Sequence, residues 1–321
     1  MHTSGIKRTA AITFGAGFIA AHLLSMAAAA PAGKIQAGQD DGAVTIIRPP
    51  KKSAPSTAPE AESLPGLLPH LAVYDFSLAR AAHRTGMTAG NGRIVFDIQG
   101  SPCTKWTSRT RMVIEMTFRR RGSRLTDARD RTEETADGSR MTYESIRFVN
   151  GAKVEDIRLK AERDPETGTV RLDFERPDTN TFELPGDTLF PIQATRHLLK
   201  AAQAGRRYLT YRVYEGFADG RARKVVAVIG PPMRQDPSVQ GVPGLPETGN
   251  LPAWPVSLAY YEDKAGRDVG VPRYQVSFRL HANGVLSEIL LDYGDYALKG
   301  TLVEVRPYPQ EKETACKPSG Q

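Results

Sequence analysis

Phe190-Pro-Ile-Gln-Ala-Thr-Arg-His-Leu-Leu-Lys-Ala-Ala-Gln-Ala-Gly205 is the segment after the N-terminus that reads most clearly as a helix. Pro191 has a fixed φ and no N–H, which suits the first helical position, and Gly205 can take the left-handed conformation just past the last turn. Between them fit about three and a half turns. Pro191, Ile192, Thr195, Leu198, Leu199 and Ala202 fall on one stripe, while Gln193, Arg196, Lys200 and Gln203 fall largely on the other side. The surrounding sequence alternates with the period of strands. With no second helix of comparable length to cover it, the stripe must pack on the inner face of a sheet. The helix is therefore expected to plug a β-structure, and the same six residues would border a ligand groove if the plug moved.

Working outward, period-two alternation predicts strands over 68–80, 92–98, 103–118, 130–135, 141–148, 153–162, 169–175 and 181–184 before the helix. After it, strands are predicted over 207–214, 223–229, 254–263, 273–281, 284–294 and 296–305, giving about thirteen or fourteen in all. In the strand that follows Cys103, Trp106, Ser108, Thr110, Met112, Ile114, Met116 and Phe118 share one face. Lys105, Arg109, Arg111 and Glu115 share the other. Asp137-Gly138, Asn150-Gly151, Asp219-Gly220 and Asn283-Gly284 are hairpin chemistry, since Asp or Asn before Gly accepts the positive φ of tight turns. The proline-rich run 231–255 reads as a long surface loop, and a turn is expected at Lys264-Ala-Gly266. No repeat of fixed short period is visible.

The ends of the chain carry different information. Lys7 and Arg8 precede an apolar run from Ala10 to Met26 and four alanines, Ala27 to Ala30, the order of a secretory signal. Cleavage after about Ala28 or Ala29 is expected, with residues 1–29 removed and the mature protein exported to the periplasm. Residues 30–66 are rich in proline, alanine and serine without periodicity and are expected to be a disordered linker. Residues 67–317 then form a single domain. Of 321 residues, two are cysteines, Cys103 and Cys316. In an oxidising compartment an even count permits one bridge, which here would close about 210 residues and contribute roughly 5 kcal/mol in the chain-entropy model. Their wide separation offers no redox-active motif.

Chemistry-bearing patterns are sparse. His70, His83, His197 and His281 do not fall at metal-ligand spacing, and no nucleophile elbow or phosphate-cradling glycine loop is present. The acidic clusters Asp127, Asp130, Glu133, Glu134 and Asp292, Asp295 are the ordinary content of outward strand faces, so glycan hydrolysis is the weakest of the readings. No catalytic residue, metal or cofactor is expected, and the chain reads as a binder. The net charge of +7 favours acidic surroundings, and the basic face of Lys105, Arg109 and Arg111, with Arg119–Arg121 beyond it, could meet an anionic lipid or an envelope glycan. Its bland alternative is a solvated strand face. Nucleic acid is excluded as a partner by the absence of any recognition motif.

Taken together, Leu68–Phe76, Ser101-Pro-Cys-Thr-Lys-Trp-Thr-Ser-Arg109, the Phe190-Pro helix ending at Gly205, the strand Tyr208–Gly216 and the terminal Cys316 resemble the EipB-like cell-envelope-integrity family of alphaproteobacteria. The resemblance covers about residues 66 to 316. It implies an all-β fold with one central helix: a periplasmic β-spiral, an overlapping and incompletely closed antiparallel barrel wrapped around the helix. It also implies a disulfide that maps onto Cys103 and Cys316, a non-enzymatic role in keeping the envelope intact under stress, and a periplasmic partner protein carrying tetratricopeptide repeats. The alternative function is a lipid or lipoprotein carrier using the apolar interior beside the helix.

Overall fold

The structure, a computed structural model, describes residues 66–244, 251–263 and 270–309. The expected signal peptide 1–29, the expected linker up to residue 65, the expected turn at 264–266 and Cys316 with the end of the expected 67–317 domain lie outside the described residues.

Seven strands precede the seam of the sheet: β1 (His70–Ala81), β2 (Met87–Gly100), β3 (Lys105–Phe118), β4 (Gly122–Thr135), β5 (Arg140–Val149), β6 (Ala152–Arg163) and β7 (Val170–Arg176). At the seam lie β8 (Asn180–Leu184), β9 (Thr188–Leu189) and the helix α1 (Pro191–Gln203). Six more strands follow: β10 (Tyr208–Val213), β11 (Arg223–Ile229), β12 (Ala253–Glu262), β13 (Tyr274–His281), β14 (Leu286–Asp292) and β15 (Tyr296–Pro307). All fifteen belong to one sheet, ordered β8-β7-β6-β5-β4-β3-β2-β1-β15-β14-β13-β12-β11-β10-β9. The first and last strands, β1 and β15, pair in its middle, so the two ends of the sheet are β8 and β9, which are consecutive in the chain.

That order makes an incompletely closed barrel. Among the described residues no ladder joins β8 to β9 or β10. Side chains hold the seam. Arg163 of β6 donates to the carbonyls of Gly186 and Thr188 (2.7 Å to the latter), and its guanidinium lies 5.6 Å from the centre of the Phe190 ring. The segment between β10 and β11 lies against the other end of the sheet. Gly216 (φ +83°) meets the ring of Tyr143 from β5, and Gly220 meets that of Phe182 from β8. A Cβ at Gly216 would stand 2.3 Å from the Tyr143 ring, so no side chain fits there.

The helix follows from this topology. Neighbouring ladders are antiparallel except one: β9 and β10 run parallel, with Thr188 opposite Arg212 and Leu189 opposite Val213. A parallel pair needs a crossover, and α1 is that crossover. Pro191, Ile192, Thr195, Leu198, Leu199 and Ala202 are all buried, and Ala194 and Ala201 widen the stripe. Leu198 and Leu199 share one core with Tyr74, Ile114, Leu159, Val225 and Leu291, drawn from five different strands. At its far end, Gln203 donates to the carbonyl of Ala282 in the β13–β14 turn (3.2 Å). The post thus spans the inside of the sheet.

Three differences from the sequence reading have physical causes. β9 has only two residues and no alternation to read, which raises the strand count from about fourteen to fifteen. β4 begins at Gly122 rather than Asp130 because its apolar pattern is inverted, with Leu125 outside and Thr126 buried. β12 begins at Ala253, one residue before the predicted strand 254–263, and so takes the end of the proline-rich run 231–255, Pro255 included, into the sheet. Pro255 is tolerated because its carbonyl accepts from Gly230 (2.7 Å), which turns its nitrogen to the same side, where the β11 ladder has ended at Ile229.

Candidate functional site

The outer face of β1 to β5 gathers the predicted basic residues. On β3, Lys105, Arg109 and Arg111 point outward while Trp106, Ser108, Thr110 and Met112 point in. β4 lies beside it in a register that sets Arg131 opposite Arg109 and Arg129 opposite Arg111. Four arginines therefore form a two-by-two block, with adjacent strands about 4.8 Å apart and alternate residues about 6.8 Å apart. Like charges directly opposite on neighbouring strands destabilise a sheet. The block is offset by carboxylates at its corners: Arg111 and Arg129 share Asp127 (3.2 and 2.9 Å), Lys105 (3.1 Å) and Arg131 share Glu133, and Arg109 faces Asp97 at 3.5 Å. The bond from Arg129 holds Asp127 below the usual carboxylate range, as do those from Lys105 and Arg131 for Glu133. Lys105 and the four arginines thus meet these three acids, while Glu144, opposite Arg131 on β5, pairs with Arg158 of β6 (3.0 Å).

The register continues outward from the block. Val95, Arg111, Arg129 and Ile146 form one row across four strands, and Asp97, Arg109, Arg131 and Glu144 form the next. These rows lie in an open groove of about 410 Å³, with Val95 and Ile146 supplying apolar floor at either side of the arginines. Arg129 was missed because the front of β4 was not read as a strand; Arg131 lies in the predicted strand 130–135, but no local pattern sets it beside Arg109. Arg119–Arg121 are not part of the block: they follow β3 at the opposite end from Lys105, in the hairpin to β4.

The interior beside α1 is a different environment. Phe190 has no side chain to cap the helix, and Glu134 of β4 supplies the acceptor instead. Its two carboxylate oxygens take the N–H groups of Ile192 (2.7 Å) and Gln193 (3.1 Å), while the Gln193 side chain accepts from the Phe190 N–H (3.2 Å). Arg196 donates to the carbonyl of Ala136 (2.9 Å), just beyond β4. Burial pushes the Glu134 carboxyl up to about 7, against the lowering effect of the two N–H bonds and of Arg196. Glu215, also buried, is pushed well above the ordinary range by burial and shares a hydrogen bond with Tyr260. Pro191, Thr195, Leu198, Tyr211, Glu215 and Tyr260 border a void of about 10 Å³, room for roughly one water molecule. The predicted ligand helix fills its own groove.

The remaining candidates separate in the same way. The acidic cluster on β4 is split by alternation: Asp127 and Glu133 face outward to arginines, whereas Asp130 and Glu134 are buried, Asp130 accepting from the Tyr143 hydroxyl (2.9 Å). Asp292 and Asp295 bind Arg80 and Arg84 at the surface. His197 lies on the exposed side of α1, edge-on to Tyr211 at 6.0 Å. Among the described residues no group of three His, Cys, Asp or Glu could hold a metal ion. Cys103 is exposed in the turn before β3, and its expected partner Cys316 lies outside the described residues.

One cluster was not anticipated. Ser287 donates to Asp236 (2.6 Å), and His281 Nε2 lies 3.0 Å from the Ser287 hydroxyl and 3.3 Å from Asp236. A Ser-His-Asp catalytic triad places serine and aspartate on opposite ring nitrogens. Here both meet Nε2, Nδ1 has no hydrogen-bond partner, and Ser287 is fully buried. Burial alone would raise the Asp236 carboxyl, but bonds from Ser238, Ser287 and Arg279 outweigh it and hold it low. The cluster tethers the proline-rich segment after β11 to the sheet.

Comparison with known proteins agrees with this architecture. The model of the EipB-like family matches residues 61–309. The chain is 32% identical over 263 residues to the cell envelope integrity protein EipB of Brucella abortus, covering 81% of this chain and 91% of that one. A crystal structure of a β-barrel-like protein from Brucella abortus, described as a domain of unknown function, superposes with a TM-score of 0.70 at 30% identity, covering 76% of this chain and 99% of the other. A many-stranded open barrel around one helix, matched over this length at this identity, places the chain in the EipB-like family.

Proposed function

We propose that this protein helps maintain the integrity of the bacterial cell envelope from the periplasm, without catalysis, by binding a partner protein on the outer face of β1 to β5. The envelope role is supported by the name of the relative from Brucella abortus and by membership of its family. Export is supported by the charged, apolar and small-residue order from Lys7 to Ala30. The observation that carries the binding role is the arginine block set in an open groove. A folded chain keeps four arginines opposed in pairs at a cost to its sheet, and such local violations concentrate where a surface has work to do.

The carrier reading is disfavoured by the interior, because an acyl chain would need α1 to leave a space that now holds about one water. The test is site-specific photo-cross-linking in the native bacterium. A photoreactive residue in place of Val95, within the groove, should form one discrete protein adduct. The same residue in place of Val228, exposed on β11, should not. No adduct from position 95, or equal adducts from both, would overturn the assignment of the surface.

A further inference from the structure

The geometry of the block points to the chemistry of its occupant, and we propose that it receives an extended acidic segment with carboxylates on alternating residues. This deepens the reading of the outer face as a partner surface and rests on it. Arg109 and Arg111 are two residues apart on β3, as are Arg129 and Arg131 on β4, so each pair presents guanidinium groups about 6.8 Å apart along a strand direction. An extended peptide repeats its side chains on one face at that same interval. Each guanidinium carries five N–H donors in a planar fork suited to a carboxylate. In the structure two arginines divide Asp127 between them and Arg131 shares Glu133 with Lys105, so donors remain for incoming acids.

The flanks narrow the choice further. Val95 on one side of the block and Ile146 on the other, in the same row as Arg111 and Arg129, give a segment laid along the strands an uncharged border on each side. A bilayer presents a flat plane of headgroups, whereas these arginines stand inside a groove. A protein segment with acids on alternate residues matches the sign and the spacing of the block, whatever the fold of the rest of the partner.

The experiment measures binding of fluorescein-labelled twelve-residue peptides to the purified mature protein by anisotropy. One peptide alternates Glu and Val; the other has the same composition as repeats of Glu-Glu-Val-Val, in which no two Glu stand two residues apart. The Arg109→Gln/Arg131→Gln variant is compared with Arg119→Gln/Arg121→Gln, which loses the same charge at the hairpin tip. The alternating peptide should bind about tenfold more tightly than the Glu-Glu-Val-Val peptide, the scale expected from about two exposed charge pairs. Arg109→Gln/Arg131→Gln should remove that preference, and the hairpin variant should keep it. Equal affinity for the two peptides, equal loss in the two variants, or binding of phosphatidylglycerol vesicles that the block variant alone abolishes without any peptide preference would each overturn the proposal. Failure of this inference is separable from failure of the partner reading. If the adduct from position 95 persists in Arg109→Gln/Arg131→Gln, the partner surface stands and the acidic-segment proposal falls; if no adduct forms from position 95 in the parent protein, the partner reading itself falls.

Discussion

At the scale of single residues, Glu134 does the least expected work. It caps a helix 58 positions away in the chain, and nothing local marks it as a cap. In the sequence it is one of several acids on an amphipathic strand; only the register that turns Asp127 and Glu133 out and Asp130 and Glu134 in reveals the difference. Its carboxyl sits at about 7 against an ordinary 4.5, chiefly through burial. The folded protein therefore holds a proton that the unfolded chain releases, and stability falls as pH rises from about 4.5 through about 7. Glu215, also raised by burial, adds to the same trend. Glu134→Gln should flatten part of that decline, leaving a melting temperature that changes less between pH 5 and pH 8 than in the parent protein. Thermal melts across this range check it, and an unchanged slope contradicts the assignment. Glu134→Ala removes the cap and should cost about 0.5–2 kcal/mol at pH 5, where the side chain is neutral.

The elements were legible to different degrees. Pro191 and Gly205 bracketed α1 because proline and glycine act locally, and its buried stripe followed from periodicity alone. β3 was equally plain, since its inward face is dominated by Trp106, Met112, Ile114 and Met116. The front of β4 was hidden because it buries Thr126 and exposes Leu125, the reverse of the usual pattern. What no local pattern could show is pairing: that β9 and β10 are parallel, that α1 is their crossover, and that Arg129 and Arg131 stand opposite Arg111 and Arg109. The seam gives a comparison at this scale. Gly205 and Gly216 both have positive φ, but only Gly216 faces a ring, that of Tyr143. Gly205→Ala should cost about 1 kcal/mol for its backbone alone, and Gly216→Ala should cost measurably more in urea denaturation. Equal losses would mean that the β10–β11 segment does not rest on β5.

For the whole molecule, the sheet rolls up around α1 and closes by side-chain packing where its ladder ends. A covalent tie would suit such a roll. If Cys103 pairs with Cys316, the bond joins the start of β3 to the tail beyond β15, and Cys103→Ser should lower stability under oxidising conditions by up to about 5 kcal/mol in the chain-entropy model. In strong reductant the variant and the parent should melt together; equal melting in oxidising buffer as well would exclude the bridge. The fold class and the family were readable from a handful of segments, but the proposed binding surface was only half visible, because a sequence shows which residues share a strand face and not which strand lies beside it. The most direct measurement of the central claim is growth of a deletion strain under detergent stress when complemented by Arg109→Glu/Arg131→Glu. The account predicts that this variant reaches the periplasm folded and in normal amount yet leaves the strain sensitive, whereas full restoration of growth would contradict it.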